Sequence, residues 1–282
     1  MSIVKAQNYI PVLDAKLKQR IKTSVFDSTD KYEYVAKANT FLVATRSYEG
    51  LSDYSRANGY DVSTVNVDWE SYTVNYDRGK MLVVDERDNE EAAGMAFLNL
   101  AGDFVDRKVG PEVERVHIAS YAGATGVHSV DTAIESAADL VAALRAGIVY
   151  SQNKYNDLGE SYLLINNTNM GMIEDLDSYK SKAVLAPFGD RILTFADTDL
   201  VDGVTLTDGG FTTPENAKAI QFMIVPKQAV IQITTHVAPK IITPEANQEA
   251  DAYKFGYRLT GLNDIFGEKA EYIYVHKEAA GE

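Results

Sequence analysis

The stretch from Trp69 to Glu91 (WESYTVNYDRGKMLVVDERDNEE) constrains the fold of this chain more than any other part of the sequence. Two runs rich in β-branched and aromatic residues, Trp69–Tyr76 and Lys80–Asp85, flank Asp77-Arg78-Gly79, which has the composition of a turn. This pattern predicts a β-hairpin. Neither side of the hairpin is apolar enough to form a core, and a two-stranded ribbon alone is marginally stable in water. We therefore expect the hairpin to lie against another surface, and a neighbouring subunit is a good candidate.

A long helix is predicted directly after this hairpin, and we call it the spine helix. Asp88 and Glu91 have the spacing of a capping box, and Gly110-Pro111 is a helix stop signal. At 1.5 Å per residue the helix would be about 30 Å long. Its apolar residues recur at helical spacing and predict a buried stripe that includes Met95, Phe97, Leu98, Leu100, Ala101, Phe104 and Val105. We expect Phe97, Leu100 and Phe104 to form its core.

Composition and charge exclude several classes of protein. The chain has 282 residues, no cysteine and a formal net charge of −14. Disulfides and thiolate metal sites are therefore excluded, and no apolar run approaches the length of a membrane span. The acidic balance argues against extensive binding of nucleic acid, which needs a basic face. The sequence also lacks the charged and then apolar start of a secretory signal.

The first 25 residues differ from the rest in charge. They hold five basic residues and one acidic residue, a net charge of +4, which leaves −18 for the remainder. Leu13, Leu17, Ile21 and Val25 form one helical stripe opposite Lys16, Lys18, Arg20 and Lys22. A basic arm that projects from an acidic body would suit self-association through opposite charges. The alternative is that the same residues form the solvent-exposed face of an amphipathic helix. If the arm projects, its deletion should leave a folded subunit.

The remaining pattern predicts an α+β fold. A helix is expected over Asp131–Asn153 and a short buried strand over Tyr162–Asn166, while Thr194–Pro214 is rich in Asp, Gly and Thr and predicts an exposed loop. Strands follow in the C-terminal part, at Ile220–Val225, Ala229–Thr235, Tyr253–Leu259 and Tyr272–His276, with a turn at Pro226-Lys227-Gln228.

No motif of a known catalytic or cofactor site stands out. The four histidines lack metal-ligand spacing, and no phosphate-binding or dinucleotide-binding loop occurs. The acidic run from Asp197 to Asp208 departs from the calcium-loop pattern, since that pattern requires Glu at its twelfth position and Asp208 stands there. We therefore expect no cofactor and no metal.

The order of hairpin and helix resembles the major capsid proteins of tailed bacteriophages, which have the Hong Kong 97-type fold. The residues that carry the resemblance are Tyr76-Asp77-Arg78-Gly79-Lys80, Asp85–Glu91 and, near the C-terminus, Asn247–Tyr253 with Tyr257-Arg258. The resemblance implies an N-terminal arm over residues 1–35, a connecting segment over 36–60 and an extended hairpin loop over 61–88. It implies a peripheral domain built from 89–124 and 219–282, and an axial domain over 125–218.

The resemblance also implies a structural function without enzymatic activity. The subunit would form hexamers and pentamers of an icosahedral phage head that encloses double-stranded DNA, assembled in the host cytoplasm with a separate scaffolding protein and a portal, because the arm begins almost at Met1. DNA contact would be weak and non-specific, with no membrane involved. The residues expected at contacts between subunits are Lys16, Lys18, Arg20, Lys22, Asp77, Arg78, Lys80 and Glu86.

Three alternatives remain open at this level. Some capsids of this fold join a hairpin lysine to a neighbour's asparagine; Lys80 is the candidate here, although the sequence favours a plain surface lysine. A second alternative is an encapsulin-type compartment shell. The third is a soluble α+β hydrolase that uses a metal held by the acids of Asp197–Asp208.

Overall fold

A computed structural model describes residues 15–28, 33–35, 40–47, 49–57, 59–60, 62, 66–85, 102–155, 158–176 and 178–279. Most of the predicted spine helix lies outside these residues, as do Glu86, Phe97 and Leu100. The strands are β1 (Glu33–Val35), β2 (Thr40–Ser47), β3 (Asn66–Thr73), β4 (Tyr76–Asp85), β5 (His128–Asp131), β6 (Ser161–Asn166), β7 (Ile192–Phe195), β8 (Thr205–Thr207), β9 (Gly210–Thr212), β10 (Ile220–Pro226), β11 (Val230–Ile242), β12 (Ala252–Ile265) and β13 (Tyr274–Lys277). The α-helices are α1 (Gly110–Gly123), α2 (Ala137–Tyr155), α3 (Asn167–Glu174) and α4 (Ser178–Leu185).

The strands form three main sheets and one small hairpin within the described residues. The hairpin sheet has the order β1-β2-β3, the long sheet β11-β12-β4 and the mixed sheet β5-β13-β10-β6-β7, while β8 and β9 pair only with each other. The long sheet is antiparallel, whereas the mixed sheet contains two parallel pairs, β13 with β5 and β6 with β7. The combination of helices and strands confirms the predicted α+β class.

The predicted hairpin over 61–88 is wrong, because its two strands belong to different sheets. β3 pairs with β2 from Thr40↔Thr73 to Ser47↔Asn66, and β4 pairs along its whole length with β12. The hairpin therefore consists of β2, β3 and the residues between them, so that most of the predicted connecting segment 36–60 belongs to it. Asp77-Arg78-Gly79 lies inside β4, where a Cβ on Gly79 would come within 2.8 Å of the Tyr257 carbonyl oxygen. Close strand packing, not a turn, requires this glycine.

The chain passes from the hairpin to the long sheet at Val74 and Asn75. The Asn75 side chain donates to the Asn263 carbonyl oxygen at 2.7 Å and accepts from the Asn263 N–H at 3.1 Å. This paired amide contact fixes the crossing point, and ten register pairs between β4 and β12 follow it. The hairpin is thus anchored to the C-terminal part of the chain at its base.

The C-terminal strands are divided between two sheets. β10 pairs with β6 and β13, and β13 also pairs with β5, so these C-terminal strands share the mixed sheet with residues of the predicted axial range 125–218. β11 and β12 instead join β4 in the long sheet. The assignment of all of 219–282 to one peripheral unit is therefore wrong. Pro226-Lys227-Gln228 does not close a hairpin either, since it carries the chain from one sheet to the other.

The helix that contains Phe104 does not end at Gly110-Pro111 as predicted. Residues 102–104 are helical, Val105–Val109 form a π-turn, and α1 continues to Gly123. The Gly110 N–H donates to the Val105 carbonyl oxygen, the wider spacing of a π-helix. Proline lacks an N–H and its ring crowds the preceding turn. The wider turn accommodates Pro111 at the first positions of α1, so that the helix continues.

The sheets and helices enclose several apolar clusters. One packs α1 against the mixed sheet and β11, and a second packs α2, α3 and α4 against the mixed sheet. A third joins the helix around Val105 to the long sheet, and Phe104 is half-buried there with its ring 5.6 Å from that of Tyr257. Phe104 is therefore packed, although less completely than the predicted core position implies.

Four shorter predictions have clear outcomes. The buried strand at Tyr162–Asn166 is confirmed as β6, and the predicted C-terminal strands match β10, β11, β12 and β13. The helix expected over Asp131–Asn153 starts later, at Ala137, because Asp131 belongs to β5 and residues 132–136 form an irregular connection. The loop expected over Thr194–Pro214 contains the β8–β9 hairpin.

The N-terminal segment does not project away from the body. Residues 15–20 are helical and a 3-10 helix follows over Lys22–Phe26. Leu17 is 3% exposed and Ile21 is 5% exposed, and both belong to the cluster around Val105, while Phe26 packs with Tyr121. The expectation that this stripe has little to bury against within its own subunit is therefore wrong for residues 15–28.

We predict that Ile21→Ala lowers the free energy of unfolding of the unassembled subunit by about 2–5 kcal/mol, as expected when a buried aliphatic side chain is truncated. Urea denaturation of the purified subunit measures the change. Leu51→Ala is the control, because Leu51 is fully exposed. Equal unfolding midpoints for the two variants would show that the N-terminal segment is not part of the core.

Candidate assembly surfaces

The four basic residues of the N-terminal segment that are expected at subunit contacts bind groups of their own chain. The Lys16 ammonium lies 3.1 Å from the Asp106 carboxylate and that of Lys18 lies 2.8 Å from Asp27. The Arg20 Nε donates to the Asp106 carbonyl oxygen at 3.1 Å, and the Lys22 ammonium donates to the Thr194 carbonyl oxygen. The four charged groups therefore all form ion pairs or hydrogen bonds within the subunit. Exposed pairs of this kind contribute about 0–1 kcal/mol each, so they orient the segment more than they stabilise it.

Gly110 allows the N-terminal segment to lie close to the helix. A Cβ at this position would lie 2.6 Å from the Cγ of Arg20, so the Arg20 side chain would have to shift to admit one. The glycine at the start of α1 thus serves contact with the segment.

Buried polar contacts bind the same segment to α1 and β11. The Thr23 hydroxyl and the His117 Nδ1 are 2.8 Å apart, the Lys22 N–H donates to the Glu114 carboxylate at 2.7 Å, and the Ser28 N–H donates to the Gln232 carbonyl oxygen at 2.8 Å. Burial lowers the pKa of His117 to about 3, and the negative charge of Asp27 opposes this shift. Within the described chain the His117 Nε2 is buried without a hydrogen-bond partner. The imidazole is therefore neutral and holds the segment in that state.

Glu114 shifts in the opposite sense. Burial raises the pKa of its carboxyl, and the hydrogen bond from the Lys22 N–H together with the charges of Arg20 and Lys22 opposes the rise. As the pH falls, Glu114 therefore favours the folded subunit through its raised pKa, whereas His117 disfavours it through its lowered pKa.

Arg78 lies at the centre of a polar network and not in an exposed turn. Its Nε donates to the Glu112 carboxylate at 2.8 Å, and the Tyr76 hydroxyl donates to the same carboxylate oxygen at 2.9 Å. Burial and the Glu112 charge raise the pKa of Tyr76 far above its usual range, so Tyr76 stays a donor. The network connects β4 to α1 through Glu112, whose side chain is only 11% exposed.

Arg78 and Arg115 together hold the β8–β9 hairpin. Arg78 donates to the carbonyl oxygens of Thr207 and Gly210 at 2.8 and 3.1 Å. Arg115 lies 3.4 Å from Asp199 and 5.4 Å from the ring centre of Phe211. Backbone carbonyls and an aromatic face are good partners for a guanidinium group. The small hairpin is thus fixed to α1 and β4 by two arginines.

Asp77 and Lys80 occupy opposite faces of β4. Asp77 pairs with Arg258 on the neighbouring strand, with an oxygen 2.7 Å from the Arg258 Nε, and this pair lowers the pKa of the Asp77 carboxyl. Lys80 is exposed and lies opposite Tyr257 in the register of β4 and β12. The cross-linking alternative placed Lys80 near a hairpin turn, whereas the structure places it in a strand of the long sheet.

The exposed surface of the β2–β3 hairpin is the feature that sequence reasoning missed. Large apolar side chains are exposed along it, and they are Leu51, Tyr54, Tyr60, Val62, Val67 and Trp69. Leu51, Tyr54 and Tyr60 fall in the predicted connecting segment 36–60, but the structure places them between β2 and β3, at the tip of the hairpin. The signal in the sequence is the presence of tyrosine, leucine and valine in an otherwise polar loop.

A cavity of about 240 Å³ lies between β4 and the helix around Val109. Its walls are apolar and include Leu82, Phe104, Tyr257 and Leu259. Its lining also includes Tyr76, Arg78 and Glu112, and exposed residues complete it, namely Gly79, Lys80, Lys108 and Gly209. Two of these exposed residues are cationic.

The acids from Asp197 to Asp208 do not converge on a metal site. Asp197 accepts from the Thr168 N–H at 3.2 Å, Asp199 faces Arg115, and Asp202 lies 2.9 Å from the Lys277 ammonium. Among the residues that the structure describes, no group of three or more His, Asp or Glu side chains is placed to hold a metal ion. None of the helices in the same part of the chain is long and apolar enough to cross a membrane.

Comparison with solved structures identifies the fold. The chain is similar to a structure from Mycobacterium phage Che8, with a TM-score of 0.60 at 10% identity over 91% of this chain and 90% of that chain. It is also similar to the capsid of Staphylococcus phage Andhra, with a TM-score of 0.58 at 11% identity over 90% and 83% of the two chains. A virus-like particle from Pyrococcus furiosus matches with a TM-score of 0.60 at 12% identity over 96% and 98%.

These similarities show that the chain has the capsid fold of tailed bacteriophages, the Hong Kong 97-type fold that the sequence led us to expect. The match extends over most of the chain and over most of each similar structure. No profile of a known protein family matches the sequence, and no curated protein sequence does. The relationship is therefore visible in the fold and not in sequence identity.

We predict that Arg78→Glu destabilises the subunit, contrary to the behaviour expected of an exposed turn residue. The change places a second carboxylate beside Glu112 and removes two hydrogen bonds to the β8–β9 hairpin. Breaking a buried ion pair costs about 3–5 kcal/mol, and we expect about 2–3 kcal/mol because Arg78 is 28% exposed. Urea unfolding measures the loss against the exposed control Arg107→Glu. A loss no greater than that of the control would contradict the network.

We also predict that the N-terminal segment becomes less stably docked as the pH falls. The pKa of His117 is lowered from 6.5 in the unfolded chain to about 3 in the folded one. Its contribution is therefore complete above about pH 6.5 and decreases by about 1.4 kcal/mol per pH unit below it.

The variant His117→Asn tests this pH dependence, because asparagine can still bond the Thr23 hydroxyl but does not titrate. The difference in unfolding free energy between wild type and variant, measured in urea at about pH 7, 6 and 5, isolates the histidine from Glu114 and other acids. A difference that stays constant over this range would show that His117 is not buried as described.

Proposed function

We propose that the chain is the major capsid protein of a tailed phage, a structural subunit that assembles into an icosahedral head. The support is the capsid fold, which matches over about nine-tenths of the chain. Fold alone does not imply function, so the surface of the subunit has to explain the activity. The head would enclose double-stranded DNA and would be assembled in the cytoplasm of a bacterial host.

The exposed hairpin carries this proposal. Beyond the short pairing of β1 with β2 the hairpin is a two-stranded ribbon, which is marginally stable alone, and it exposes Leu51, Tyr54, Tyr60 and Trp69. Trp69 is 59% exposed and Tyr60 is 85% exposed. Tyr54 and Tyr60 contact each other, and clustered exposed apolar side chains of this kind indicate a protein interface. In a shell of identical subunits, each subunit would cover the exposed apolar side chains on the hairpin of another. No other kind of partner would then be needed.

The proposed assembly consists of hexamers and pentamers of one chain. Identical subunits in these two rings have slightly different neighbours, and they need contacts that can adjust. The hairpin supplies such a contact, since only its base is anchored by Asn75 and the register of β4. In this proposal the long sheet and the helix up to α1 form the peripheral part, and the mixed sheet with α2, α3 and α4 forms the axial part.

The charge of the subunit suits weak contact with DNA. The net charge is −14, and two basic residues of the N-terminal segment, Lys16 and Lys18, are paired with Asp106 and Asp27. An acidic inner surface would not retain DNA during packaging, because nucleic-acid binding depends on basic groups that displace counterions. A separate scaffolding protein and a portal are the further partners of this proposal. Catalytic activity is not part of the role.

A cellular compartment shell of the encapsulin type is the second candidate. The match to the virus-like particle from Pyrococcus furiosus, which covers 96% of this chain, fits either kind of closed shell and does not favour the compartment over the phage head. The contents of particles purified from the native source distinguish the two, since DNA indicates a phage head and cargo protein indicates a compartment. The hydrolase alternative has no such support, because the acids from Asp197 to Asp202 are engaged by Thr168, Arg115 and Lys277.

We predict that the purified protein forms closed particles hundreds of ångströms across, and that replacing residues 49–62 with a short Gly-Ser turn abolishes them. The described side chains of this range are mostly exposed, so the unfolding free energy of the subunit should change by less than about 0.5 kcal/mol. Negative-stain microscopy and size-exclusion chromatography measure assembly, with Tyr179→Ser as the control for loss of an exposed tyrosine. Particles of normal size from the shortened variant would contradict the role of the hairpin.

A further inference from the structure

The cavity between β4 and the helix around Val109 combines buried apolar walls with an exposed rim. Its wall residues include Tyr257 and Leu259, which are almost fully buried. Its rim includes Lys80 and Lys108, which are exposed. Ligand pockets in proteins are concave, mostly apolar and equipped with a few polar groups that orient the ligand. The cavity therefore has the build of a small-molecule site within a single subunit.

Two aromatic rings in the wall favour an aromatic ligand. The rings of Phe104 and Tyr257 meet edge to face, with centres 5.6 Å apart and planes at 79°. Aromatic rings attract one another in this geometry, so a third ring in the cavity can pack against either of them. The cavity measures about 240 Å³, whereas roughly 150 Å³ is enough to bind benzene. One aromatic ring or two fused rings would therefore fit.

The β8–β9 hairpin forms part of the rim and is held in a fixed position. Gly209 lies at the turn of this hairpin and lines the cavity. On either side of it, the carbonyl oxygens of Thr207 and Gly210 accept hydrogen bonds from Arg78. A Cβ built on Gly209 would meet no atom of the described residues within 4 Å, so the space beside the turn is open. A site whose walls and rim are already held in place binds a ligand without a large ordering cost.

The charges that line the cavity favour an anion. Glu112 is the one acidic residue among the described lining residues, and Arg78 donates to both of its carboxylate oxygens, at 2.8 and 3.3 Å. Because this pair is compensated, Lys80 and Lys108 give the lining a net charge of +2. No carboxylate of the described residues forms a salt bridge with either lysine. Both ammonium groups are therefore available to an anionic ligand.

We propose that this cavity binds a small aromatic carboxylate, with its ring packed against Phe104 and Tyr257 and its carboxylate between the two lysine ammonium groups of the rim. The site goes beyond the proposed function, because all of its residues belong to one subunit and binding requires no contact between copies. Both parts of the ligand contribute to its affinity. A neutral compound with the same rings loses the attraction of the two lysines, and an aliphatic carboxylate loses the packing between aromatic rings.

Calorimetric titration of the unassembled subunit with naphthoate, a carboxylate on two fused aromatic rings, tests the site. Saturable binding of one molecule per subunit is expected, and added salt should weaken it. Naphthylmethanol, the neutral alcohol with the same rings, should bind about fivefold more weakly, since exposed ion pairs contribute modestly. Octanoate, an aliphatic carboxylate, should also bind more weakly than naphthoate. Absence of saturable binding, or an affinity for either comparison compound that equals the affinity for naphthoate, would overturn the proposal and leave the shell function intact.

Substitution of the rim lysines tests whether the binding occurs in the cavity. The double variant Lys80→Gln with Lys108→Gln should bind naphthoate no more tightly than naphthylmethanol, while its affinity for the alcohol stays that of the wild type. The matched control is Arg107→Gln with Arg145→Gln, because both arginines are exposed and neither is among the residues that line the cavity. A loss of naphthoate affinity in the control as large as that in the lysine variant would show that binding follows overall surface charge, and this result would overturn the proposal.

Discussion

The antiparallel pairing of β4 with β12 is the constraint on which the rest of the structure depends. It joins residues that are far apart in the sequence, with Tyr76 opposite Gly261 at one end and Asp85 opposite Ala252 at the other. The long sheet that results is the surface against which the helix around Val105 and the N-terminal segment pack. A long-range pairing of this kind forms only after the entropic cost of closing a large loop. Once formed, it determines the direction in which the hairpin leaves the body.

Much of the fold could be predicted from the sequence, and the failures have one physical cause. Strands with strong periodicity, such as β6, β10 and β13, were recognised because their side chains show the pattern of a buried face. The partner of each strand in its sheet was not recognised. Trp69–Tyr76 and Lys80–Asp85 are adjacent in the sequence and look like a hairpin, but they pair with strands on either side of them. Sequence proximity favours a local hairpin, whereas long-range packing decides between sheets.

The same distinction applies to the candidate surface. The charged residues of the N-terminal segment stand out in the sequence, but their partners, Asp106 and Asp27, are revealed only by the fold. Arg78 was expected at a contact between subunits, which stays a prediction, and its neighbours Glu112 and Gly210 within the subunit come from distant segments. Exposure of Tyr54 and Tyr60 could not be derived, because a tyrosine in a polar loop is equally compatible with burial. Sequence patterns show which residues are charged or aromatic, whereas only the fold shows which of their side chains are bound within the subunit.

The π-turn at Val105–Val109 has a consequence for the orientation of everything that precedes it. A π-turn contains one residue more than an α-turn, and one residue corresponds to about 100° of rotation around the helix axis. If that extra residue were removed, Phe104 would be turned by this angle, away from the ring of Tyr257. The residue required to accommodate Pro111 thus acts as an angular spacer, which aims one aromatic side chain at the long sheet.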